Sequence, residues 1–253
     1  MAAPPPVPSA DHALAARLAT EAGDLLVSLR ERVGGTQPWA LGDAGDAAAH
    51  RLLVERLAEL RPDDAVLSEE GVIDPSRLLS PRVWIVDPLD GTREFGDVPR
   101  VDWAVHVALV VDGLVAAGAV ALPAQGITLA SQPAPELPPA ADGPPRIVVS
   151  RSRPALEAER IAVALGADVL PLGSAGAKAM AVVLGEADIY AHSGGQYEWD
   201  SAAPVAVAQA AGLWTSRLDG SPLAYNRPDP YLPDLLICRQ ELVDPILKAL
   251  GHR

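Results

Sequence analysis

Apolar residues recur at three- and four-residue intervals in two N-terminal stretches, a spacing typical of helices that bury one face. The first stretch follows Ser9, which we expect to cap the helix, and it ends near Gly34-Gly35. The second occupies residues 47–60, places four leucines on one face, and is stopped by Pro62. Residues 1–8, with four prolines, are expected to be a disordered lead-in.

Short, almost continuous apolar runs follow these helices and predict strands. The runs cover residues 65–67, 83–86, 103–111, 114–122 and 127–131. The third and fourth are separated by Asp112-Gly113, a pair that favours the tight turn of a β-hairpin. Two helices followed by several strands indicate an α+β arrangement for this half of the chain.

A segment rich in proline separates the two halves. Residues 132–145 contain six prolines and are predicted to form a linker or a long surface loop. Beyond this segment, strand-like and helix-like patterns alternate along the chain. Strands are predicted at residues 147–149, 169–172 and 188–191, and helices at 155–165, 175–185 and 201–212. The alternation predicts α/β architecture, with an α+β subdomain at 9–131 and an α/β subdomain at 146–253.

The composition excludes several classes of protein. The 253 residues carry a net charge of -13, and only two of the 20 basic residues are lysines, Lys178 and Lys248. No basic run is present, so we expect no nucleic acid polymer as a partner. The single cysteine, Cys238, excludes an internal disulfide framework and is expected in a buried strand. No apolar run reaches membrane-spanning length, and the first sixteen residues lack Lys and Arg, so we predict a cytoplasmic protein without membrane contact.

The most informative stretch joins the strand at 83–86 to two carboxylates. Asp87 follows the strand directly, and Asp90 comes three residues later. The intervening proline fixes the turn, so both carboxylates and the carbonyl of Leu89 can converge on one point. Gly91 permits close backbone approach and Thr92 supplies a hydroxyl. Such oxygen groups suit Mg²⁺, although Asp-Gly pairs also form ordinary capped turns.

Three other acidic positions share this character. Ser68-Glu69-Glu70 follows an apolar run, where either a metal-binding acid or an exposed pair of acids is possible. Asp46 precedes the second predicted helix, and Asp200 precedes the helix at 201–212. Both aspartates suit helix capping, and a capping carboxylate can also face a metal ion.

The combined pattern of Glu-Glu, then Asp-Pro-Leu-Asp-Gly-Thr, then Trp-Asp resembles the lithium-sensitive, Mg²⁺-dependent phosphomonoesterases from about residue 10 to residue 240. This superfamily includes inositol monophosphatases, fructose-1,6-bisphosphatases and 3'(2'),5'-bisphosphate nucleotidases. The resemblance implies a layered αβαβα sandwich of the sugar-phosphatase type, with most metal ligands in the first subdomain and the substrate-binding segments in the second. It also implies a metal-activated water without an aspartyl-phosphate intermediate.

Carried over residue by residue, the resemblance implies one Mg²⁺ on Glu69, Asp87 and the Leu89 carbonyl. A second ion is implied on Asp87, Asp90 and Asp200, and a third, weaker one near Glu69. The implied catalytic residues are Asp46, Glu69 and Thr92, with Asp46 and Thr92 as a hydrogen-bonded pair that orients and helps deprotonate the water. The expected substrate-binding residues are Asp90, Gly91, Thr92, Ser150, Arg151, Ser174, Ala175, Lys178 and Asp200.

Three segments direct the resemblance toward the bisphosphate nucleotidases. Residues 173–178 match their Gly-x-Ala-Gly-x-Lys stretch, and residues 199–204 match their Trp-Asp-x-x-Ala-Pro. Inositol phosphatases carry a glutamate seven residues before the aspartate of Trp-Asp, where this chain has Ser193. Residues 149–153 resemble the segment that meets the nucleotide phosphate, with Arg153 at a position where those enzymes often have His. His192 is read either as a pocket residue or as a packed histidine.

The resulting hypothesis is hydrolysis of the 3'-phosphate of 3'-phosphoadenosine 5'-phosphate, which yields AMP and phosphate and removes a by-product of sulfur metabolism. The resemblance also suggests a homodimer. A phosphatase of broader specificity, acting on inositol 1-phosphate or fructose 1,6-bisphosphate, is one alternative. A haloacid-dehalogenase-type phosphatase is another, but its two acids are separated by one residue, whereas Asp87 and Asp90 are separated by two. A non-catalytic metal- or nucleotide-binding protein on the same fold is the alternative outside enzymes.

Overall fold

The computed structural model describes residues 4–34 and 37–252. Seven α-helices lie in these ranges: α1 (Ser9–Val33), α2 (Pro38–Leu60), α3 (Thr92–Gly96), α4 (Leu156–Leu165), α5 (Ala175–Val183), α6 (Glu198–Ala210) and α7 (Val243–Leu250). Short 3-10 turns occur at Pro75–Leu79, Pro123–Gln125 and Gln240–Leu242. None of the helices in the described ranges has an apolar stretch suited to spanning a bilayer.

The strands form two five-stranded sheets. The first contains β1 (Ala65–Ser68), β2 (Arg82–Asp90), β3 (Ala104–Val111), β4 (Leu114–Leu122) and β5 (Ile127–Ala130), in chain order across the sheet. The second contains β6 (Arg146–Ser150), β7 (Asp168–Leu172), β8 (Ile189–Tyr197), β9 (Trp214–Ser216) and β10 (Tyr231–Cys238), in the order β7-β6-β8-β10-β9.

Alternation of apolar side chains along the strands produces five layers. Trp84 and Val86 of β2 pack against α1 and α2, whereas Val83 and Ile85 face α5 and α6. The other side of the α5–α6 layer contacts the second sheet, whose far face is covered by α4 and α7. The predicted αβαβα sandwich is therefore confirmed, with helices packed on both faces of each sheet.

The first helix starts one residue earlier than its predicted cap allows, because Ser9 is already helical and Pro8 stands at the N-cap. The second helix begins at Pro38 rather than at residue 47. Its first turns contain Gly42 and Gly45, which weaken the sequence signal for a helix. Tertiary packing requires them, since a Cβ at Gly42 would lie 2.6 Å from Thr92 Cγ2 and one at Gly45 would lie 2.9 Å from Phe95 Cε1.

The last forty residues add elements that the sequence pattern left unassigned. The strands β9 and β10 pair antiparallel beside β8, so the second sheet is mixed rather than fully parallel. Cys238 lies fully buried at the end of β10, as predicted. The division into subdomains at 9–131 and 146–253 stays a prediction. The disorder of residues 1–8 also stays a prediction, and residues 1–3 lie outside the described ranges.

Candidate active site

A cavity of about 350 Å³ lies where the ends of β1 and β2 meet α5, α6 and β8. The predicted site residues that line it are Glu69, Asp90, Gly91, Thr92, Ser150, Ser174, Ala175, Lys178 and Asp200. The sequence therefore located this region from motifs that are far apart along the chain. The cavity is large enough for a small phosphate ester.

Three carboxylates converge beside this cavity. Asp87, Asp90 and Asp200 each offer an oxygen, and these oxygens all lie within 4.8 Å of one another. Asp87 and Asp90 belong to the end of β2, while Asp200 lies in the first turn of α6. The Oδ2 atom of Asp200 accepts a hydrogen bond from the Tyr197 N–H at 2.7 Å. Asp200 thus caps the helix and faces the cluster at the same time.

The turn in β2 explains why two aspartates so close in sequence point to one place. Asp87 pairs with His106 of β3, Asp90 pairs with Ala104, and the register is irregular between them. Asp87 Oδ1 also accepts a hydrogen bond from the Leu89 N–H at 3.1 Å, which holds the turn. Gly91 follows with a φ of 88°, and a Cβ there would lie 2.8 Å from Ser174 Cβ. Only glycine satisfies both the backbone angle and the close approach of α5.

Glu69 joins the cluster from a neighbouring strand. It follows β1, which runs parallel to β2 and pairs Ser68 with Val86, so the Glu69 carboxyl comes beside Asp87. Burial and the neighbouring acids raise the pKa of Glu69 to about 7 and that of Asp200 to about 6. The same causes hold the pKa of Asp87 well above its ordinary value. Closely spaced carboxylates that repel one another fit a hard divalent cation, which would relieve the repulsion.

Asp90 differs from the other acids because the protein itself supplies it with hydrogen-bond donors. Its two oxygens accept hydrogen bonds from the N–H groups of Ala175, at 3.1 Å, and Gly176, at 2.5 Å. The Nε2 atom of His106 lies 3.2 Å from Asp90 Oδ2. Burial would raise the pKa of Asp90, but His106, Lys178 and the Gly176 N–H together lower it. The anion that meets the N-terminus of α5 in the structure is therefore Asp90.

Thr92 and Asp46 meet across the contact between α3 and α2. The Thr92 Oγ1 atom lies 3.3 Å from Asp46 Oδ2 and also 3.3 Å from the Leu89 carbonyl oxygen. Asp46 sits inside α2, so the alternative that it caps a helix start is wrong. Burial, reinforced by the charge of Glu70, raises the pKa of Asp46 to about 7. A carboxyl group with this pKa can accept a proton near neutral pH.

Lys178 is 3% exposed, so it is not a solvated surface lysine. Its Nζ donates hydrogen bonds to the carbonyl oxygens of Gly173 and Ser174, the latter at 2.7 Å. The ammonium also lies 5.5 Å from the centre of the Tyr190 ring. Burial lowers the pKa of Lys178, and Asp90 offsets part of this effect. The lysine thereby fixes the turn that leads into α5 while it lines the cavity.

The segment that follows β6 contains two arginines with different surroundings. Arg153 lines the cavity, and its N–H donates to Ser150 Oγ at 3.2 Å. Arg151 instead forms an ion pair with the buried Glu94, with 2.7 Å between Nη2 and Oε1. Arg93, which directly follows the Asp-Pro-Leu-Asp-Gly-Thr motif, also lines the cavity.

Three further residues in or beneath the cavity carry weak sequence signals. His192 lines the cavity, and its pKa is lowered to about 4 by burial and by Lys178. Gln196 also lines it, four residues before Asp200. His106 lies beneath the carboxylates rather than in the cavity, with Nδ1 3.0 Å from the Trp199 carbonyl oxygen. Only the alternation of side chains in residues 103–111 could have placed His106 next to the aspartates.

Comparisons with known proteins agree with this geometry. A model of the inositol monophosphatase family matches residues 11–134 and 145–247. The chain is 53% identical to a 3'-phosphoadenosine 5'-phosphate phosphatase of Mycobacterium leprae, over 94% of this chain and 92% of that protein. It is 31% identical to the 3'(2'),5'-bisphosphate nucleotidase CysQ of Escherichia coli, over 85% and 94% respectively.

Solved structures share the fold. An inositol monophosphatase II of Staphylococcus aureus superposes with a TM-score of 0.77 at 24% identity, covering 94% of this chain and 92% of that one. A CysQ of Bacteroides thetaiotaomicron gives a TM-score of 0.74 at 27% identity, covering 91% and 97%. The five-layered arrangement is thus the one adopted by these phosphatases.

Proposed function

The chain belongs to the inositol monophosphatase family, and we propose that it removes the 3'-phosphate from 3'-phosphoadenosine 5'-phosphate to release AMP and phosphate. The observation that carries the proposal is a single cavity, lined by Glu69, Asp90 and Asp200 and also by two arginines, Arg93 and Arg153. A substrate with two phosphates can then place one at the acidic cluster and the other near the guanidinium groups. The 53% identity to a phosphatase of this specificity supports the same choice.

Mg²⁺ is the proposed cofactor. Glu69, Asp87 and the Leu89 carbonyl would hold one ion, and Asp87, Asp90 and Asp200 a second, with a third near Glu69. When bound, such ions offset the negative charge of the phosphate and lower the pKa of a coordinated water. The fit rests on the donor set, which consists of carboxylate and carbonyl oxygens. Within this set, burial and mutual repulsion raise the pKa values of Glu69, Asp87 and Asp200.

Thr92 and Asp46 would position the attacking water and take its proton. The Thr92 hydroxyl lies between an acceptor on Asp46 and the Leu89 carbonyl oxygen, so its orientation is restrained. As water attacks phosphorus, its proton leaves through the Thr92 hydroxyl. The Asp46 carboxylate can accept that proton because its pKa is raised to about 7. The bond to the 3'-oxygen breaks, and that oxygen takes a proton from solvent water to become the 3'-hydroxyl of AMP.

Recognition of the 5'-phosphate is assigned to Arg153 with Arg93. Both arginines line the cavity, whereas the Arg151 guanidinium is paired with Glu94. A direct role for Arg151 in substrate binding, predicted from the sequence, would require it to leave that partner. The other proposed substrate-binding residues that line the cavity include Ser150, Ser174 and Lys178.

The test is phosphate release with Mg²⁺ from 3'-phosphoadenosine 5'-phosphate, inositol 1-phosphate and fructose 1,6-bisphosphate, compared as kcat/KM. We expect at least a 100-fold preference for the nucleotide, equivalent to about 2.7 kcal/mol of transition-state discrimination. Comparable values on all three substrates would favour the broader phosphatase. Release from none of them, in a preparation that binds Mg²⁺, would favour the non-catalytic alternative.

Four further properties of the protein are proposed together with this function. Lithium is expected to inhibit at millimolar concentration, and complete insensitivity would count against the second ion site. A role in sulfur metabolism, a cytoplasmic location and a homodimer are expected from the family resemblance. Gel filtration with light scattering would measure the last of these directly.

A further inference from the structure

Glu198 is a buried carboxylate in the first turn of α6, which also carries Asp200. Its Oε2 accepts a hydrogen bond from the N–H of Asn226 at 2.7 Å, and its Oε1 accepts one from the N–H of Arg227 at 2.8 Å. The backbone N–H of Glu198 itself donates to the Pro230 carbonyl oxygen at 2.8 Å. The first turn of α6 is therefore tied by three hydrogen bonds to the loop that precedes β10.

Arg77 holds the same loop from the other side. It is 2% exposed, and its Nη1 donates to Asn226 Oδ1 while its Nη2 donates to the Arg227 carbonyl oxygen at 2.6 Å. The Asn226 side-chain amide donates in return to the Arg77 carbonyl oxygen at 3.2 Å. Arg77 lies in the 3-10 turn between β1 and β2, eight residues after Glu69. These contacts therefore join the connection that follows Glu69 to the helix that carries Asp200.

A buried polar network of this kind contributes little net stability. Removal of Glu198 and Arg77 from water costs about as much as their hydrogen bonds return, and apolar residues of similar size would fill the space without that cost. The network does supply a defined position, because charged groups with several hydrogen bonds accept a narrow range of distances and angles. It suits a helix end whose location must be fixed.

The geometry of α6 transmits this location to Asp200. Successive residues of a helix are about 100° apart around the axis, so side chains two positions apart point to opposite sides. Glu198 accordingly faces the loop before β10, while Asp200 offers an oxygen within 4.8 Å of oxygens of Asp87 and Asp90. Metal–ligand distances tolerate deviations of only about 0.2 Å. A small displacement of the first turn would therefore weaken the binding of a cation.

We propose that Glu198 is a positioning residue for Asp200, that Arg77 holds it in place, and that the two set the distance from Asp200 to the aspartates of β2. The inference rests on the proposed function, since it takes Asp200 as a metal ligand. The described residues that line the cavity include neither Glu198 nor Arg77. An effect of either residue on metal binding must therefore pass through the position of α6.

The experiment compares wild type, Arg77→Met, Glu198→Gln and the double variant with a matched control, Arg239→Met. Arg239 is also a buried arginine, 4% exposed, which donates to a carboxylate oxygen of Asp188 and to the Pro138 carbonyl oxygen. Asp188 precedes β8 at the end opposite to α6, about 30 Å away along the strand. Calorimetric titration measures the Mg²⁺ affinity, and thermal unfolding of the metal-free protein measures Tm.

We expect Arg77→Met and Glu198→Gln each to weaken Mg²⁺ binding by about tenfold, the lower end of the usual effect of residues that orient metal ligands. Glutamine keeps the shape of the side chain but turns an NH₂ group toward one of the two backbone N–H donors. The double variant should bind Mg²⁺ little more weakly than either single variant, because both residues act through the same turn. Arg239→Met should lower Tm but keep the Mg²⁺ affinity within twofold of wild type.

Three results would overturn the inference. The first is a wild-type Mg²⁺ affinity in both single variants at a temperature where both are folded, which would limit the network to a structural role. The second is an equal loss of affinity in Arg239→Met, and the third is a double variant in which the two losses simply add. A wild type that binds Mg²⁺ but releases no phosphate from the nucleotide would refute the proposed function alone, so the two failures are distinguishable.

Discussion

The contact between α5 and Asp90 leaves no room for a side chain at residue 176. The substitution Gly176→Ala therefore tests whether the N-terminus of α5 supports the Asp90 carboxylate. A Cβ at this position would lie 2.9 Å from Ala104 Cβ and 3.1 Å from Asp90 Oδ2, and closer still to His106 Nε2. Distances below 3.0 Å are not tolerated, so the N-terminus of α5 must move away from β3. The hydrogen bond from the Gly176 N–H to Asp90 Oδ2, now 2.5 Å, would then lengthen or break.

The magnitude follows from these two effects. Overpacking of a well-packed interior costs about 1–3 kcal/mol. Loss of a hydrogen bond to a charged group costs about 1.5–3 kcal/mol. Since one displacement causes both, we expect a total near 3 kcal/mol, or a fall in Tm of about 6–12 °C for a chain of this length. Displacement of a ligand's supporting donors typically lowers metal affinity by about 10- to 100-fold.

The assay combines thermal unfolding without metal, calorimetric titration with Mg²⁺, and phosphate release from the nucleotide. Gly71→Ala serves as the matched control, because a Cβ at Gly71 meets its nearest neighbours at 3.5 Å, an ordinary contact distance. The reasoning would be refuted if Gly176→Ala kept the Mg²⁺ affinity and Tm of Gly71→Ala. A loss of Tm with unchanged Mg²⁺ affinity would mean that α5 does not support the Asp90 carboxylate.

Three further predictions address other groups of the site. Thr92→Ala should lower kcat by about 100-fold or more, which is the usual contribution of a group that transfers a proton. The Mg²⁺ affinity measured by titration should stay within threefold of wild type. Unchanged kcat with a weakened Mg²⁺ affinity would instead make Thr92 a metal-site residue. Lys178→Met should lower Tm because the carbonyl groups of Gly173 and Ser174 lose their hydrogen-bond donor. It should also raise KM for the nucleotide more than KM for inositol 1-phosphate. Equal increases in the two KM values would mean that Lys178 only stabilises the turn before α5. The raised pKa values of Glu69 and Asp200 mean that the metal-free native state holds protons that the unfolded chain releases, so its unfolding free energy should fall as pH rises from about 4 to 7. Mg²⁺ should therefore raise Tm more at pH 8 than at pH 5, and an equal rise at both values would contradict this sign.

The sequence pattern predicted two members of the acidic cluster because they follow a strongly apolar strand, and the family resemblance implied the third, Asp200. Asp87 and Asp90 come directly after residues 83–86, and stability alone gives no reason for two aspartates at the end of a buried strand. The β-hairpin and the middle helices were equally predictable, since their apolar residues have a clear period. Local pattern and global fold agree in these segments.

The start of α2 was missed for a reason that long-range packing supplies. Gly42 and Gly45 are poor helix formers, yet the space between α2, Thr92 and Phe95 admits no side chain there. Sequence reasoning therefore placed Asp46 at a helix start, when it lies within the helix. No local signal reports how closely two elements approach.

The partners of the α5 N-terminus were missed for a related reason. The N–H groups at the start of a helix often bind an external anion, whereas here the N–H groups of Ala175 and Gly176 donate to Asp90. Whether these N–H groups bind a side chain of the protein or an external anion depends on which acceptor lies close to them in three dimensions. The same holds for Arg151, whose pairing with Glu94 joins residues 57 positions apart.

The layer formed by α5 and α6 lies between the two sheets, and this has a consequence for how the protein becomes active. The first 131 residues contain Asp46, Glu69, Asp87, Asp90 and Thr92, but neither Asp200 nor the donors of α5. During synthesis the nascent chain thus carries most of the site's acids before it has the elements that neutralise or complete them. Turnover can begin only after α5 and α6 have docked against the first sheet. Catalytic activity is in this sense a direct reporter that the two halves of the polypeptide have assembled correctly.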